Sequence, residues 1–209
     1  MASCEIDLMG GFRVRVDGRA IPERVWRRRA AELVKVLSLA DRRRLHREQL
    51  MDLLWPELTA DAAAANLRKA VHFARRALGE ERAIETSSEI VKLWPSTDVS
   101  VDAARFDELA RAALAVGDDR AALEAVAAYG GELLPEDRYA PWAMETRERL
   151  RLRFLELLRH AQLWDRVLEV DPMDEVAHRA LMQRAIDAGD RRGAIRQFER
   201  LRERLRADL

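Results

Sequence analysis

Residues 45–93 read LHREQLMDLLWPELTADAAAANLRKAVHFARRALGEERAIETSSEIVKL, and this stretch decides the fold of the chain. Apolar residues spaced three and four positions apart predict a first helix over residues 46–54 and a longer one over 61–78. A short connection containing Trp55-Pro56 separates the two helices, and residues 84–93 alternate in polarity around two serines, as in a β-hairpin. Helix, turn, basic helix and hairpin are the outline of a winged helix-turn-helix.

The second helix is amphipathic, and its outer face is basic. At 100° per residue its apolar side chains fall on one side; they are Ala63, Leu67, Val71, Ala74 and Leu78. Lys69 and Arg76 fall opposite them with His72 beside, and Arg68 and Arg75 form one flank. One face can pack on a small core, while the other lies along phosphates and reaches base edges in a major groove. The alternative is an ordinary surface helix with a solvated basic face; the neighbouring helix and hairpin favour DNA recognition.

Further cations lie on both sides of this region. Between Arg24 and Arg47 there are nine basic residues and two acidic ones, the densest positive stretch of the chain. Such a stretch predicts contacts with the phosphate backbone, which dominates affinity for DNA; charges that complement a helix end and solubilise the surface are the alternative. Lys92 is the one cation of the predicted wing. The candidate DNA-binding residues are therefore Lys69, His72, Arg76, Arg68, Arg75, Lys92, Arg44 and Arg47.

The N-terminal part is predicted to be a small β-sheet followed by a helix. Residues 5–9 and 12–16 alternate in polarity around Gly10-Gly11, which indicates a hairpin with one face buried. Residues 29–40 then carry apolar side chains at helical spacing. We expect these elements to complete the winged-helix domain.

Beyond Trp94-Pro95 the chain is expected to be helical, without further strands. Residues 117–123 (GDDRAAL) are similar to residues 189–195 (GDRRGAI), so a glycine turn between paired helices recurs. Antiparallel helix pairs of this kind stack into tetratricopeptide-like (TPR-like) arrays with a concave binding face. The sequence therefore predicts a winged helix domain over 1–97 and an all-α TPR-like domain over 98–209. In class terms the fold is mainly α, with an α+β N-terminal part.

Composition narrows the function classes. With 48% hydrophobic and 35% charged residues, the chain is expected to fold rather than stay disordered. The net charge is zero, yet residues 1–97 hold 18 Lys and Arg against 14 Asp and Glu, and residues 98–209 hold 19 against 23. This asymmetry suits a basic binding half joined to an acidic interaction half. A single cysteine, Cys4, excludes an intrachain disulfide and fits a reducing cytoplasm. Neither a signal peptide nor a membrane-spanning segment is predicted.

No motif for catalysis or for cofactor or metal binding stands out. The phosphate-binding loop G-x-x-x-x-G-K-[ST] is absent, and the histidines His46 and His72 lack the further ligands of a metal site. The acidic pairs Asp118-Asp119 and Glu136-Asp137 follow turn residues, where they are expected to cap helices. We therefore expect no enzyme, no cofactor and no metal.

A series of short motifs runs in order through nearly the whole chain. They are GGFRV at residues 10–14, LHREQL at 45–50 leading into LWP at 54–56, AANLRKAV at 64–71, RRALG at 75–79, VD at 101–102 with Phe106, LP at 134–135 with Tyr139, Trp142, Arg147 and Leu150, DPMDE at 171–175, AHRAL at 177–181 and GD at 189–190. Together they resemble the antibiotic regulatory protein (SARP) type of bacterial transcriptional activator. That family joins an OmpR/PhoB-like winged helix to a helical bacterial transcriptional activator domain.

The resemblance implies partners and a place of action. It implies binding of double-stranded DNA at promoters, commonly at tandem repeats, and activation through contacts with RNA polymerase made by the connection at residues 55–61. Winged-helix proteins commonly act as dimers, so a homodimer is a further expectation, although no self-association seam stands out. The family usually has another helix pair between Trp142 and Asp171. Here no Gly-Asp turn occurs between them, so we expect one long helix from Trp142 through His160 or on to Val170.

Three hypotheses for function follow. The first is a sequence-specific DNA-binding transcriptional regulator in the cytoplasm. The second is a protein-interaction or regulatory module of a larger multidomain signalling regulator, with weak or no DNA binding; residues 206–209 end a helical pattern without a capping glycine, which suggests a longer protein. The third, a small-molecule sensor, needs a pocket between helix pairs that the sequence does not reveal.

Overall fold

The computed structural model of the chain describes residues 3–207; residues 1, 2, 208 and 209 lie outside the described part. The expectation about the end of the chain falls partly on those last residues. The strands are β1 (Ser3–Asp7), β2 (Arg13–Val16), β3 (Arg19–Ala20), β4 (Arg44–His46), β5 (Ile84–Thr86), β6 (Ile90–Leu93) and β7 (Asp98–Val101). The helices are α1 (Arg28–Leu39), α2 (Arg47–Leu54), α3 (Ala60–Leu78), α4 (Asp102–Val116), α5 (Asp119–Ala127), α6 (Pro141–His160), α7 (Trp164–Val170), α8 (Glu175–Asp187) and α9 (Arg191–Ala207). The predicted class, mainly α with an α+β N-terminal part, is confirmed.

The described chain forms two compact units. Unit 1 contains the chain up to Phe106 together with Tyr129–Leu150, and unit 2 contains Asp107–Ala128 and the chain from Arg151 onward. The division into domains at 1–97 and 98–209 concerns separately folding parts of the chain, and it stays a prediction.

The N-terminal sheet of unit 1 has four strands in the order β3-β2-β1-β7. The predicted hairpin is confirmed: β1 and β2 pair antiparallel with Ile6 opposite Val14, and both side chains are buried. The expectation that no strand follows Pro95 is wrong, because β7 pairs with β1 in parallel, with Val101 opposite Ile6. The alternation Asp-Val-Ser-Val is only four residues long, and its partner strand lies more than 90 residues earlier in the sequence, so no local pattern predicts the pairing.

The winged helix contains the predicted helices and hairpin in the predicted order, together with one strand, β4, that was not predicted. Helices α1, α2 and α3 pack together, and the second sheet has the strand order β4-β6-β5. Leucines spaced for helices supply the core, with Leu33, Leu50 and Leu67 almost fully buried. Helix α3 ends at Leu78 and is capped by Gly79, whose φ of 72° is the left-handed conformation that terminates helices and that glycine adopts without strain.

Unit 1 also contains a segment from beyond the winged helix, residues 129–150. The end of β1 binds it through backbone hydrogen bonds, from Leu134 N to Leu8 O at 2.8 Å and from Gly10 N to Glu132 O at 2.8 Å. A Cβ at Gly10 would lie 2.7 Å from Gly130 O, so the two backbones touch where only glycine fits. The sequence predicted a turn at Gly10-Gly11; the close approach is an additional reason for glycine there.

Unit 2 is helical, and its glycine turns recur as predicted. Gly117 follows α4 with φ 71° and Gly189 follows α8 with φ 75°, so both helix pairs are joined by the same left-handed turn. The long helix expected from Trp142 through His160 is confirmed, because α6 ends at His160. Its alternative continuation to Val170 is wrong, because Gln162 has φ 53° and a separate helix, α7, begins at Trp164. The break has no glycine or proline, which is why the sequence did not reveal it.

Candidate nucleic-acid interface

The outer face of α3 carries the side chains expected to contact DNA. Lys69, His72 and Arg76 are spaced at i, i+3 and i+7, so they share one face, and all three are exposed. Arg68 is exposed on the flank. The opposite side of the helix is buried, including Leu67, Val71 and Leu78 as predicted. Helix α3 is therefore fixed by its apolar stripe and presents its cations to solvent.

The basic side chains on this face have no carboxylate partner in the part of the chain that the structure describes. No ion pair or side-chain hydrogen bond joins Arg68, Lys69, His72 or Arg76 to another residue of the described chain. Surface cations of this protein are otherwise often paired, as Arg15 is with Glu5 at 2.8 Å. An unpaired group of like charges repels itself, and an anionic ligand would relieve that repulsion.

The side chain of Arg75, unlike those of its neighbours on α3, is hydrogen-bonded within the protein. Its Nε and Nη2 donate to the carbonyl oxygen of Ile84 at 3.0 and 2.8 Å, and its Nη1 lies 2.6 Å from Glu81 Oε1. The side chain therefore ties α3 to the first residue of β5. This arrangement fixes the side of α3 from which the wing departs.

The remaining candidates lie on the second sheet and beside it. Arg44 on β4 stands directly opposite Lys92 on β6, and Lys92 stands opposite Glu85 on β5. Arg44 is exposed and Lys92 is half-buried. Like charges directly opposite each other across strands repel, so a bound anion would reduce the repulsion between Arg44 and Lys92. Arg47, the first residue of α2, is half-buried, and its backbone N–H donates to Glu89 O at 2.8 Å.

One cation beside α3 was not singled out from the sequence. The guanidinium carbon of Arg27 lies 3.9 Å from the centroid of the Phe73 ring on α3. Arg27 is exposed and Phe73 is half-buried. The density of arginines between Arg24 and Arg47 indicated a basic surface, but only the packing of α1 on α3 selects Arg27.

The described residues do not offer an arrangement suited to catalysis by a thiol or to a metal ion. No cluster of three or more His, Cys, Asp or Glu within residues 3–207 could hold a metal. Burial raises the pKa of Cys4 to about 12, against a smaller lowering by Arg43, so this thiol stays protonated at neutral pH. In the part of the chain that the structure describes, no helix combines the length and apolarity needed to cross a bilayer.

The fold is similar to that of Mycobacterium tuberculosis EmbR, which was solved in complex with a low affinity phosphopeptide. The TM-score is 0.70 at 17% sequence identity, and the match covers 100% of this chain and 61% of the EmbR chain. The likeness concerns the fold, and it agrees with the architecture that the sequence motifs implied. No protein-family model and no curated protein sequence matches the chain.

Proposed function

We propose that this chain is a DNA-binding transcriptional regulator that inserts α3 into the major groove. The observation that carries the proposal is the exposed face of α3, where Arg68, Lys69 and Arg76 lie beside His72 and have no carboxylate partner among the described residues, on a helix whose other side is buried. A basic helix that a small core holds rigidly can place side chains at base edges without losing much conformational freedom on binding. The likeness to EmbR supports the same class of function.

The candidate residues have different proposed roles. Lys69, His72 and Arg76 face the groove, and Arg68 contacts phosphates from the flank. Arg75 is a positioning residue, because its guanidinium binds Ile84 O and Glu81. In the same proposal, Arg44, Arg47 and Lys92 contact the backbone of the DNA beside the wing.

The regulator is proposed to act in the cytoplasm as an activator on promoter repeats. The connection between α2 and α3 exposes Glu57 and Leu58, and it is our candidate surface for RNA polymerase, as the resemblance to SARP-type activators implies. Binding as a homodimer and a division into domains 1–97 and 98–209 belong to the same proposal. The two points can be tested separately from DNA binding by sedimentation and by limited proteolysis.

The primary test is selection of DNA by the whole chain. Sheared genomic DNA from the protein's own source is incubated with it at about 150 mM salt, near physiological ionic strength, and the retained fragments are sequenced. We expect a short repeated motif upstream of genes to be enriched. Diffuse recovery, or none, would contradict sequence-specific regulation by this chain and would direct attention to protein partners of unit 2.

Lys69→Ala is expected to weaken binding and to flatten its dependence on salt. Each phosphate contact that is lost removes about one unit from the slope of log Kobs against log salt. Fluorescence anisotropy with a selected duplex, repeated at several salt concentrations, measures both quantities. Arg200→Ala on α9 is the matched control, because it removes one exposed positive charge at a distance in sequence from the winged helix. An unchanged slope for Lys69→Ala would remove Lys69 from the interface.

A further inference from the structure

The N-terminus of α1 carries three consecutive arginines with unequal surroundings. Arg28 Nε lies 2.9 Å from Glu32 Oε1, and Arg29 Nη1 lies 2.6 Å from Glu32 Oε2. The carboxylate of Glu32 is buried and pairs with both guanidinium groups, so Arg28 and Arg29 share one carboxylate partner within the protein. Arg27 precedes them and has no carboxylate partner among the described residues.

Arg27 is instead held by an aromatic ring of α3. Its guanidinium carbon lies 3.9 Å from the centroid of the Phe73 ring, within the range of a cation–π contact. Such a contact restricts the side chain but leaves its positive charge intact. A guanidinium lying over a ring keeps its N–H groups available at the edge of its plane, and this edge matches the two oxygens of a phosphate.

The position of Phe73 places this arginine beside the basic face of α3. At 100° per residue, Phe73 lies about 40° from Lys69 on the helical wheel, and Arg75 lies about 120° away on the other side. The contacts of Arg75 with Ile84 and Glu81 mark that other side as the one that meets the wing. Arg27 therefore borders the face that contains Lys69 and Arg76 on the flank away from the wing.

We propose that Arg27 is a DNA-binding residue that Phe73 holds ready to contact a backbone phosphate. This inference rests on the proposed function and adds a contact with DNA on the flank of α3 away from the wing. A helix in the major groove lies between the phosphate backbones of the two DNA strands. Cations near the wing can contact only one of these backbones. Arg27 is in position to contact the other backbone. It contacts phosphate and not base edges because Arg27 lies on the flank of α3 and not on the outer face of that helix.

The proposal predicts a specific pattern among variants of the full chain. With a random-sequence 30-base-pair duplex as the probe, Arg27→Gln is expected to weaken binding about fivefold at low salt and to lower the salt slope by about one unit. Because the contact is with phosphate, Arg27→Gln is expected to weaken binding by the same factor for a duplex that carries a sequence enriched in the genomic selection. Arg27→Lys keeps the charge but loses the planar, stacked donor, so we expect an intermediate loss.

A double-mutant cycle separates the stacking from the charge alone. Phe73→Leu keeps an apolar side chain but removes the ring, and Arg27→Gln is expected to have a smaller effect in that background. Arg24→Gln is the control for charge in the same stretch, because Arg24 is exposed and has no described aromatic contact. Thermal unfolding of each variant identifies any loss of affinity that comes from loss of fold.

The outcomes distinguish this inference from the proposed function. If the wild-type chain binds neither duplex, both are overturned. If the wild type binds but Arg27→Gln binds equally well, only the role of Arg27 is overturned. Equal losses for Arg24→Gln and Arg27→Gln, or the same effect of Arg27→Gln with and without Phe73, would also overturn it, because they would indicate a diffuse electrostatic effect.

Discussion

Arg147→Ala is expected to lower the free energy of unfolding by about 3 kcal/mol, the largest effect of any substitution proposed for this protein. The side chain is 12% exposed and binds four backbone carbonyl oxygens. Its Nε donates to Leu133 O at 2.9 Å and its Nη1 to Arg138 O at 3.0 Å, while Nη2 donates to Leu134 O and Asp137 O at 3.3 and 3.1 Å. Without the guanidinium, several of these acceptors lose their partner inside the protein.

These carbonyls belong to the segment that pairs with the end of β1. Leu134 has φ 46°, an unfavourable conformation for a residue with a side chain, and its N–H donates to Leu8 O. Arg147 offsets this backbone strain by filling the acceptors on both sides of it. Loss of the Arg147 guanidinium is therefore expected to weaken the contacts between residues 129–150 and the N-terminal sheet.

Chemical denaturation or calorimetry of the variant measures the effect. At about 2–4 °C for each kcal/mol in a chain of this length, the melting temperature is expected to fall by roughly 10 °C. Arg149→Ala is the matched control, because Arg149 lies on the same helix, is exposed and has no hydrogen bond among the described residues. Arg147→Lys is expected to lie nearer to alanine than to the wild type, since an ammonium cannot span four carbonyls. Equal stability of Arg147→Ala and Arg149→Ala would contradict this account.

The winged helix could be predicted because its signals are local. Helix α3 shows its apolar stripe and its basic face within 19 residues, and the hairpins show alternation on both sides of a turn. Periodicity and turn residues were sufficient for the helices and the wing hairpin, but not for β4, which pairs with β6 more than 40 residues away. The exposed side of α3 follows directly from the same wheel, which is why Lys69, His72 and Arg76 lie where they were expected.

Features that depend on distant parts of the chain could not be predicted. Strand β7 pairs with β1 across more than 90 residues, and nothing in its own four residues selects that partner. The roles of individual arginines could not be predicted either, because the sequence alone does not show which of them bind other parts of the protein. Arg75 bonds to the wing, Arg147 bonds to a loop and Arg27 stacks on a ring. Only tertiary contacts separate an arginine that holds the fold from one that is free to bind a ligand.

The break between α6 and α7 illustrates a further limit. Helices are expected to stop at glycine or proline, but Gln162 adopts a left-handed conformation between two helical segments. Leu163 N–H still donates to Leu158 O at 2.9 Å, so the turn keeps a backbone hydrogen bond that closes the end of α6. A residue without special turn propensity can end a helix when the packing of both segments outweighs the local cost.

Lys35→Met is expected to lower the free energy of unfolding by about 2–3 kcal/mol at neutral pH. The Lys35 side chain is 8% exposed, and its ammonium lies 3.0 Å from Glu136 Oε1 and 2.5 Å from Asp137 Oδ2. It also lies 4.9 Å from the centroid of the Phe12 ring. Methionine fills a similar volume but leaves two carboxylates side by side without a counter-charge. Because Glu136 is 41% exposed, water compensates part of the loss, and we therefore place the effect below that of a fully buried pair.

The same cluster predicts a dependence on pH. Burial raises the pKa of Glu136, but hydrogen bonds from its own backbone N–H, Lys35 and Phe12 outweigh this and hold the pKa below its usual value of 4.5. A carboxyl whose pKa is lowered by folding stabilises the protein above its unfolded pKa, and this contribution is lost as the pH falls through the folded pKa. The wild type should therefore lose stability on acidification below about pH 4.5, while Lys35→Met, which removes one source of the lowering, should lose less.

Denaturant unfolding at several pH values tests both statements. The difference between wild type and Lys35→Met is expected to be largest near pH 7 and to shrink below about pH 4.5, where Glu136 becomes protonated. Lys92→Met is the matched control, since Lys92 is a half-buried lysine of the same unit without an ion pair among the described residues. Adding Glu136→Gln and Asp137→Asn to Lys35→Met should recover much of the loss, because all partners of the cluster are then neutral. A loss for Lys35→Met that is independent of pH would assign the effect to packing and not to charge.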